Sequence, residues 1–381
     1  MLVSQLLDGG GSERQVRQLA IALNRLHFEV HLASFRSNEK IAEQLRQAGV
    51  QTVDLAVSSL ASPKIVGTVL NLRSYVKQHG IQLLHAFDAP SSTLAVPMAR
   101  LARVPLVLAS QRGNRALDPP LAHKLRWLTD PMAHGIVVNA EALADHLEAE
   151  GIARTRIRFC PNGLDTARFS PQGRQRIPRL EHASAVVGCV AAHRPEKELP
   201  FLVDAFAEAR RQRPGLQLVM VGSGTETPKI LERVQAHNLG GDCLMIPHTP
   251  DTAEILRSID IFLLTSVSEG QSNSLMEAMA CGCAVVASRV EGTRDLVRDG
   301  VNGFLFEFGS QADLVAKVLS LVDDPELRRK IACDASAWVR STMSVEASAA
   351  RMAAIYDEFI GKANSARVSK ASAEAHSEPR P

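Results

Sequence analysis

Short apolar runs alternate along most of the chain with longer stretches in which apolar residues recur every three or four positions. Residues 2–7, 29–35, 52–55, 81–86, 105–109, 135–138 and 157–160 read as strands. Runs this short and continuous suit strands buried on both faces of a sheet. Val16, Leu19, Ala20 and Leu23 mark one face of the first helix. Further helices are expected at 41–47, 65–79, 91–101, 122–128 and 141–148. A stretch with Pro, Gly and Arg from 161 to 179 breaks the rhythm. It resumes with strands at 185–191, 216–221, 243–246, 259–264, 284–287 and 303–306. The helices between and after them fall at 199–210, 228–237, 252–258, 275–280, 293–297, 311–321, 325–338 and 345–360. Such alternation predicts an α/β chain of two doubly wound, Rossmann-like domains with parallel sheets. The expected boundaries are 1–165 for the first domain, 166–184 for a linker and 185–344 for the second domain. A helix at 345–362 is expected to pack back toward the first domain. Residues 363–381, rich in Ala, Ser, Lys, Glu and Pro, are expected to form a disordered tail.

The stretch from 259 to 288, IDIFLLTSVSEGQSNSLMEAMACGCAVVAS, condenses the pattern into one strand–loop–helix–strand unit. It places Glu269 in the loop and Glu277 on the helix. In a parallel sheet the loop at a strand's carboxyl end faces the ligand crevice, and the helix start after it favours an anion. Two carboxylates there suit the flanks of a phosphorylated ligand. A plainer reading stands beside this one: Ser274 to Glu277 has capping-box spacing, and Glu269 is then a solvated loop acid. Near the start, Asp8-Gly9-Gly10-Gly11-Ser12-Glu13-Arg14 follows the first strand and precedes its helix. Glycines there let backbone approach a phosphate closely, although a tight turn without ligand has the same look. The spacing is neither that of a P-loop nor that of a dinucleotide fingerprint.

Composition narrows the partners. Apolar content of 45% and charge of 22% are those of a soluble globular protein. Aromatics at 4% and a net charge of +2 argue against a nucleic-acid surface. Residues 1–170 carry 19 Lys/Arg against 14 Asp/Glu. With the Lys124-Leu125-Arg126-Trp127 patch, that excess suggests at most a weak peripheral contact with a membrane. The six cysteines show neither C-x-x-C pairing nor metal-ligand spacing, so reduced, buried thiols are expected. No apolar run nears the roughly 18 residues a membrane span needs. The expected location is cytoplasmic, at the inner face of the membrane where a membrane contact exists.

Five segments together resemble the retaining glycosyltransferases of family 4, which have the GT-B fold of two Rossmann-like domains facing across a cleft. Gly9 to Arg14 is similar to the family's GG-x-ER loop, and Val138-Asn139-Ala140-Glu141 to its V-x-NS-E segment. Pro161-Asn162-Gly163-Leu164-Asp165, followed by Arg168-Phe169-Ser170-Pro171, resembles its PNG hinge. Arg194-Pro195-Glu196-Lys197 resembles the segment that contacts the donor phosphates. The most specific match is Glu269 to Ser288, which fits E-x7-E-A-M-A-x-G-x-x-V-V-A-S.

The resemblance implies roles residue by residue. Lys197, with Arg194, contacts the donor diphosphate; Glu269 binds hydroxyls of the transferred sugar; Glu277 binds the ribose. These implied roles make Glu269, Lys197 and Arg194 the catalytic set. The amides of Asn273, Ser274 and Leu275 face the phosphate, and Gly10 and Gly11 let the first loop approach the donor. The implied co-substrate is a UDP- or GDP-sugar, with no cofactor and no metal. The implied acceptor is a glycan, a lipid-linked sugar or a small molecule, and the implied process is surface glycan or glycolipid synthesis. The family uses no protein nucleophile, unlike a two-carboxylate glycosidase.

The chain departs from the family at several points. Ala192 stands where many members carry an arginine, and Arg194 is expected to supply that charge. Glu198 follows Lys197 where glycine is usual, and Gln271 replaces a common aromatic. A family histidine after the fifth strand has no match, and Ser110-Gln111-Arg112-Gly113 occupies its place. Arg112 can stabilise negative charge but cannot serve as a base at neutral pH. His85 and Arg112 are the acceptor-side candidates, with a satisfied structural histidine as the competing reading of His85. His193 is expected to pack, and His248 to lie in a loop bordering the base. Two other functions fit the same frame: a nucleotide-sugar epimerase, and a non-catalytic nucleotide-sugar-binding partner subunit.

Overall fold

The computed structural model describes residues 1–6, 11–36, 38–55, 57, 65–115, 120–247, 249 and 251–377. The chain divides into two compact units, Met1–Gly163 with Val345–Pro381, and Leu164–Ser344. The first is built from β1 (Leu2–Leu6), α1 (Gly11–Asn24), β2 (His31–Arg36), α2 (Glu39–Gln47), β3 (Gln51–Asp54), α3 (Ile65–Gln78) and β4 (Leu83–Ala86). It continues with α4 (Ala89–Leu101), β5 (Leu106–Gln111), α5 (Pro120–Thr129), β6 (Gly135–Val138), α6 (Glu141–Ala149) and β7 (Ile157–Phe159). The second runs through β8 (Ala185–Val190), α7 (Leu199–Gln212), β9 (Leu216–Val221), α8 (Thr227–Ala236), β10 (Cys243–Ile246), α9 (Thr252–Ser258) and β11 (Ile261–Leu264). It closes with α10 (Asn273–Ala280), β12 (Ala284–Ser288), α11 (Glu291–Arg294), β13 (Phe304–Phe306), α12 (Gln311–Asp323) and α13 (Pro325–Thr342). A last helix, α14 (Val345–Ser377), returns to the first unit.

Both sheets are parallel, with strand orders β3-β2-β1-β4-β5-β6-β7 and β10-β9-β8-β11-β12-β13. Strand order reverses between β1 and β4, and again between β8 and β11. At such a switch point the flanking loops diverge and leave a crevice at the carboxyl edge. The strands read as continuous apolar runs because helices cover both faces: β4, β5, β6, β11 and β12 are buried at every position. Five of the six cysteines are buried and none is bridged.

In the first unit α14 packs beside α1 and places Met352, Tyr356 and Phe359 in one core with Leu19, Leu23 and Leu108. Phe359 lies so close to the backbone of β6 that a Cβ at Gly135 would overlap its ring. The segment from 363, expected as a disordered tail, is helical to Ser377. Alanine, the most frequent residue of that segment, favours helix intrinsically. Residues 166–184, expected as a linker, are packed into the second unit. Arg174 Nη1 donates to Gly282 O at 2.9 Å, Arg176 Nη2 to Asp260 Oδ2 at 2.6 Å, and Phe169 and Leu180 enter the core. Among the described residues no helix is long and apolar enough to cross a membrane.

Candidate active site

The second unit's site forms where the loops after β8 and β11 meet. Beyond β8 the chain makes a single 3-10 turn, Pro195–Lys197, then enters α7 through Glu198, whose φ of 48° and ψ of 42° are left-handed. Few residues other than glycine adopt that conformation without cost. This explains physically why a glycine after the lysine is the easier choice. Two bonds join this loop to the loop after β11: Thr265 Oγ1 donates to Lys197 O at 2.9 Å, and Val267 N to Glu196 O at 2.9 Å.

That junction sets Lys197 Nζ 2.7 Å from Glu269 Oε1. Ser266 Oγ donates to the same carboxylate oxygen at 2.6 Å. Glu269 is only 9% exposed, so the carboxylate is largely desolvated and its two donors count for more than on an open surface. The loop is braced from behind. Ser288 Oγ donates to Ser266 O at 2.6 Å, and Thr293 Oγ1 to Ser288 O at 2.5 Å. Gly292 lies against the Glu269–Gly270 backbone so tightly that a Cβ would overlap Gly270 O.

α10 begins beside this loop. Its N-cap is Ser272, with φ −73° and ψ 112°, and Ser272 Oγ accepts from Leu275 N at 3.4 Å. The expected capping box from Ser274 is therefore absent: Ser274 already lies inside the first turn, and the residue with extended backbone is two positions earlier. Asn273, Ser274 and Leu275 are the first-turn residues, where N–H groups lack intrahelical acceptors and the helix dipole favours an anion. Glu277 is buried in the following turn.

Arg194 stands apart from the pair. Its side chain is 68% exposed, and Glu196 at 3.9 Å is the carboxylate beside it. The structure therefore joins Lys197 to Glu269 and leaves Arg194 pointing outward. His193 is buried; its N–H donates to Ser223 O at 2.9 Å and its Nδ1 pairs with Thr227 Oγ1 at 2.8 Å. Burial pushes its pKa down and keeps the ring neutral, as befits a packing residue. Gln271 is also buried, with Nε2 3.7 Å from Met343 Sδ. His248 and Gly10 lie outside the described residues, and Gly11 is the exposed first residue of α1. Ser266 and Gly292 were not foreseeable, since neither sits at a motif position.

In the first unit the carboxyl ends of β4, β5 and β6 carry a second group of polar side chains. His85, an acceptor-side candidate, is shielded from solvent rather than open to a crevice. It is fully buried, with Nδ1 2.7 Å from Tyr356 Oη on α14 and Nε2 2.8 Å from Ser110 Oγ. Desolvation, with help from the Arg112 charge, holds its pKa down at about 3, so the ring is neutral. The alternative of a satisfied structural histidine is the one observed, because α14 covers that face of β4. Arg112, just beyond β5, is partly exposed. Its guanidinium stacks on Phe87 at 3.5 Å from the ring centroid, and Nη1 donates to Asn162 Oδ1 at 2.6 Å. Asn139 Nδ2 donates to the same oxygen at 3.3 Å. Asp88 caps α4 by accepting from Ser91 N at 2.8 Å, and its other oxygen accepts from Ser4 Oγ and Gln5 N. That carboxylate ties the end of β1 to the start of α4 at the switch point. Asn139 and Asn162 are far apart in sequence, and their spacing did not reveal that they share a hydrogen-bond centre.

Comparison with known proteins agrees with this architecture. Residues 9–168 match the family model described as Glycosyltransferase Family 4, and residues 174–338 match that of Glycosyl transferases group 1. The chain is 24% identical, over 85% of its own length and 90% of the relative's, to a Campylobacter jejuni enzyme. That enzyme is the N-acetylgalactosamine-N,N'-diacetylbacillosaminyl-diphospho-undecaprenol 4-alpha-N-acetylgalactosaminyltransferase. It is also 24% identical, over 69% of its length and 72% of the relative's, to the Escherichia coli UDP-Gal:alpha-D-GlcNAc-diphosphoundecaprenol alpha-1,3-galactosyltransferase. Among solved structures, Anabaena HepE in complex with UDP and glucose superposes with a TM-score of 0.80 at 19% identity, over 93% of this chain and 98% of that one. The fold is thus that of the GT-B glycosyltransferases.

Proposed function

We propose that this chain, which belongs to the glycosyltransferases of family 4, transfers a hexosyl-type sugar from a UDP-sugar to a hydroxyl of a lipid-linked glycan, with retention at the anomeric carbon. The observation that carries the reading is the Lys197–Glu269 contact at 2.7 Å beside the start of α10. A lysine, a carboxylate and a helix N-terminus in one place suit a diphosphate joined to a sugar.

In the proposed mechanism the incoming diphosphate competes with Glu269 for Lys197. Lys197 then pairs with phosphate oxygens, and Glu269, released from its cation, accepts hydrogen bonds from sugar hydroxyls. First-turn amides of α10 face the phosphate, and Glu277 holds the ribose. As the bond from the anomeric carbon to the phosphate oxygen breaks, Lys197 and the helix start stabilise the negative charge that develops on the leaving group. The acceptor hydroxyl attacks on the face the phosphate leaves and passes its proton to a phosphate oxygen. The products are the glycosylated acceptor and UDP. The reading needs neither a protein nucleophile nor a metal ion. Arg194, exposed beside this loop, is assigned the outer face of the diphosphate.

The choice of UDP is supported by the E. coli relative, whose name specifies UDP-Gal, and by the UDP complex of the Anabaena neighbour. The lipid-linked acceptor is supported by the two relatives that act on diphospho-undecaprenol-linked sugars. Exposed Trp127 and Leu128 beside Lys124 suit a light contact with the inner face of a membrane, where such acceptors reside. Thermal-shift measurements with UDP, GDP and their sugars test the donor assignment. UDP is expected to raise the melting temperature, and no stabilisation by any nucleotide would overturn the reading.

A further inference from the structure

We infer that the first unit carries an anion-binding site centred on Arg112, and that it takes a phosphate group of the acceptor. The inference rests on the transferase reading above and deepens it on the acceptor side. Arg112 lies where the loops after β4, β5, β6 and β7 converge, the edge of a doubly wound sheet where ligands bind.

The side chain is built in but not completed. Phe87 stacks against one face of the guanidinium, and Asn162 Oδ1 holds Nη1. Nε is buried with no hydrogen-bond partner among the described residues, and no described carboxylate lies within 4 Å of the group. Asp88 lends only a distant field, and both of its oxygens are occupied by Ser4, Gln5 and Ser91. Burial draws the guanidinium down to about 10, which leaves it charged at neutral pH. A desolvated cation with a spare donor and no counter-ion is costly, and an arriving anion removes that cost. A planar fork held flat on an aromatic ring is preorganised for two oxygens of one phosphate.

A second unsatisfied atom belongs to Asn139, whose Nδ2 shares the Asn162 Oδ1 acceptor with Arg112 Nη1. Asn139 Oδ1 is buried with no hydrogen-bond partner among the described residues, and it can accept only from a donor such as a sugar hydroxyl. Cation and acceptor side by side fit a hydroxyl-bearing sugar joined to a phosphate. The floor is rigid: Gln15 Nε2 donates to Gly163 O and Gly163 N donates to Gln15 Oε1, both at 2.8 Å, and these fix the residue after Asn162. His85 and Ser110 lock the strand end that precedes Arg112.

A phosphate at Arg112 has two sources, the acceptor and the donor. The donor diphosphate already has Lys197 and the start of α10, so the acceptor is assigned. The experiment uses the full chain as wild type, Lys197→Met, Arg112→Met and Arg112→Gln. Inorganic phosphate is first titrated against chloride at constant ionic strength while melting is followed. Phosphate is expected to stabilise Lys197→Met, and adding either Arg112 substitution to Lys197→Met should remove that stabilisation, while Arg112→Met in chloride should melt no lower than wild type. Equal protection of all variants would overturn the site. Next, a short prenyl-diphosphate-linked sugar is compared as acceptor with the same sugar as a neutral alkyl glycoside. Wild type should prefer the charged acceptor at least tenfold in kcat/KM, and Arg112→Gln should abolish the preference while the KM for UDP-sugar stays within about twofold. If Arg112→Gln instead weakens UDP binding and leaves acceptor preference intact, the anion is the donor's and the acceptor assignment falls. Failure of UDP to stabilise the wild type would overturn the donor reading separately, since phosphate binding at Arg112 does not depend on it.

Discussion

Lys197 and Glu269, 72 positions apart, form an ion pair of 2.7 Å that Ser266 completes from the Glu269 side. The pair satisfies two charges at the base of the site proposed to receive a diphosphate. On the proposed mechanism each partner trades the other for a part of the donor, so the two should fail differently when removed. Lys197→Ala is expected to weaken UDP binding roughly 10- to 100-fold, the worth of one or two charge-assisted hydrogen bonds. Glu269→Ala should leave UDP affinity within a few-fold and lower kcat by about 100-fold or more. Calorimetry with UDP, set beside steady-state rates, separates the two.

Glu277 gives a contrasting case. Glu277→Ala is expected to weaken binding of the nucleotide itself, with a similar loss for UDP and for UDP-sugar. If Glu277→Ala and Glu269→Ala both bind and turn over like wild type, the assignment of the two carboxylates is wrong.

Glu198 offers a stability test next to the same site. Its left-handed φ of 48° costs a non-glycine residue about 1 kcal/mol, partly offset in Glu198→Gly by the greater freedom of glycine in the unfolded chain. Glu198→Gly should raise the urea midpoint slightly and leave UDP affinity unchanged. Glu198→Val, with a branched side chain in that conformation, should lower it.

Gly292 should tolerate nothing larger. A Cβ there overlaps Gly270 O and comes within 2.5 Å of Glu269 O, so Gly292→Ala must displace the loop that holds the carboxylate. The expected result is a loss of transfer activity well beyond the loss of stability. Retention of full activity would show that the position of Glu269 does not depend on this contact.

The first unit should be acid-sensitive through His85. Its pKa is about 3 in the folded chain and roughly 6.5 when unfolded. Between those values the unfolded state binds the extra proton. The histidine's contribution is therefore complete above pH 6.5 and is lost as pH falls toward 3, with a slope of about 1.4 kcal/mol per pH unit. Urea denaturation from pH 7 to pH 4 should show this slope for wild type and a shallower one for His85→Gln.

Metal removal gives the last test. Exhaustive treatment with a chelator should leave transfer unchanged, because Lys197 and the start of α10 are assigned the charge stabilisation that a metal supplies elsewhere. A rate restored only by a divalent cation would refute that assignment.

The alternation of apolar runs and helical periodicity was enough to place most strands, because each is buried on both faces and so carries its signature locally. The same locality explains two of the sequence expectations that differ from the structure. Residues 166–184 read as a linker because Arg174 and Arg176 look solvent-bound in sequence, whereas both bond to groups around Ser258–Asp260 and Cys281–Gly282. Ser274 reads as the helix cap because its spacing to Glu277 is right, whereas the cap is chosen by backbone dihedrals, and Ser272 has them.

The sequence by itself determined the two doubly wound units, the family, and the positions of Lys197, Glu269 and Glu277, because periodicity and motif spacing are properties of neighbours along the chain. Only the tertiary structure decided what those side chains meet. It paired Lys197 with Glu269 and set Arg194 outside, buried His85 under Tyr356, and left Arg112 stacked on Phe87 with a donor to spare. Each of these depends on distances between residues remote in sequence, and no local pattern encodes them.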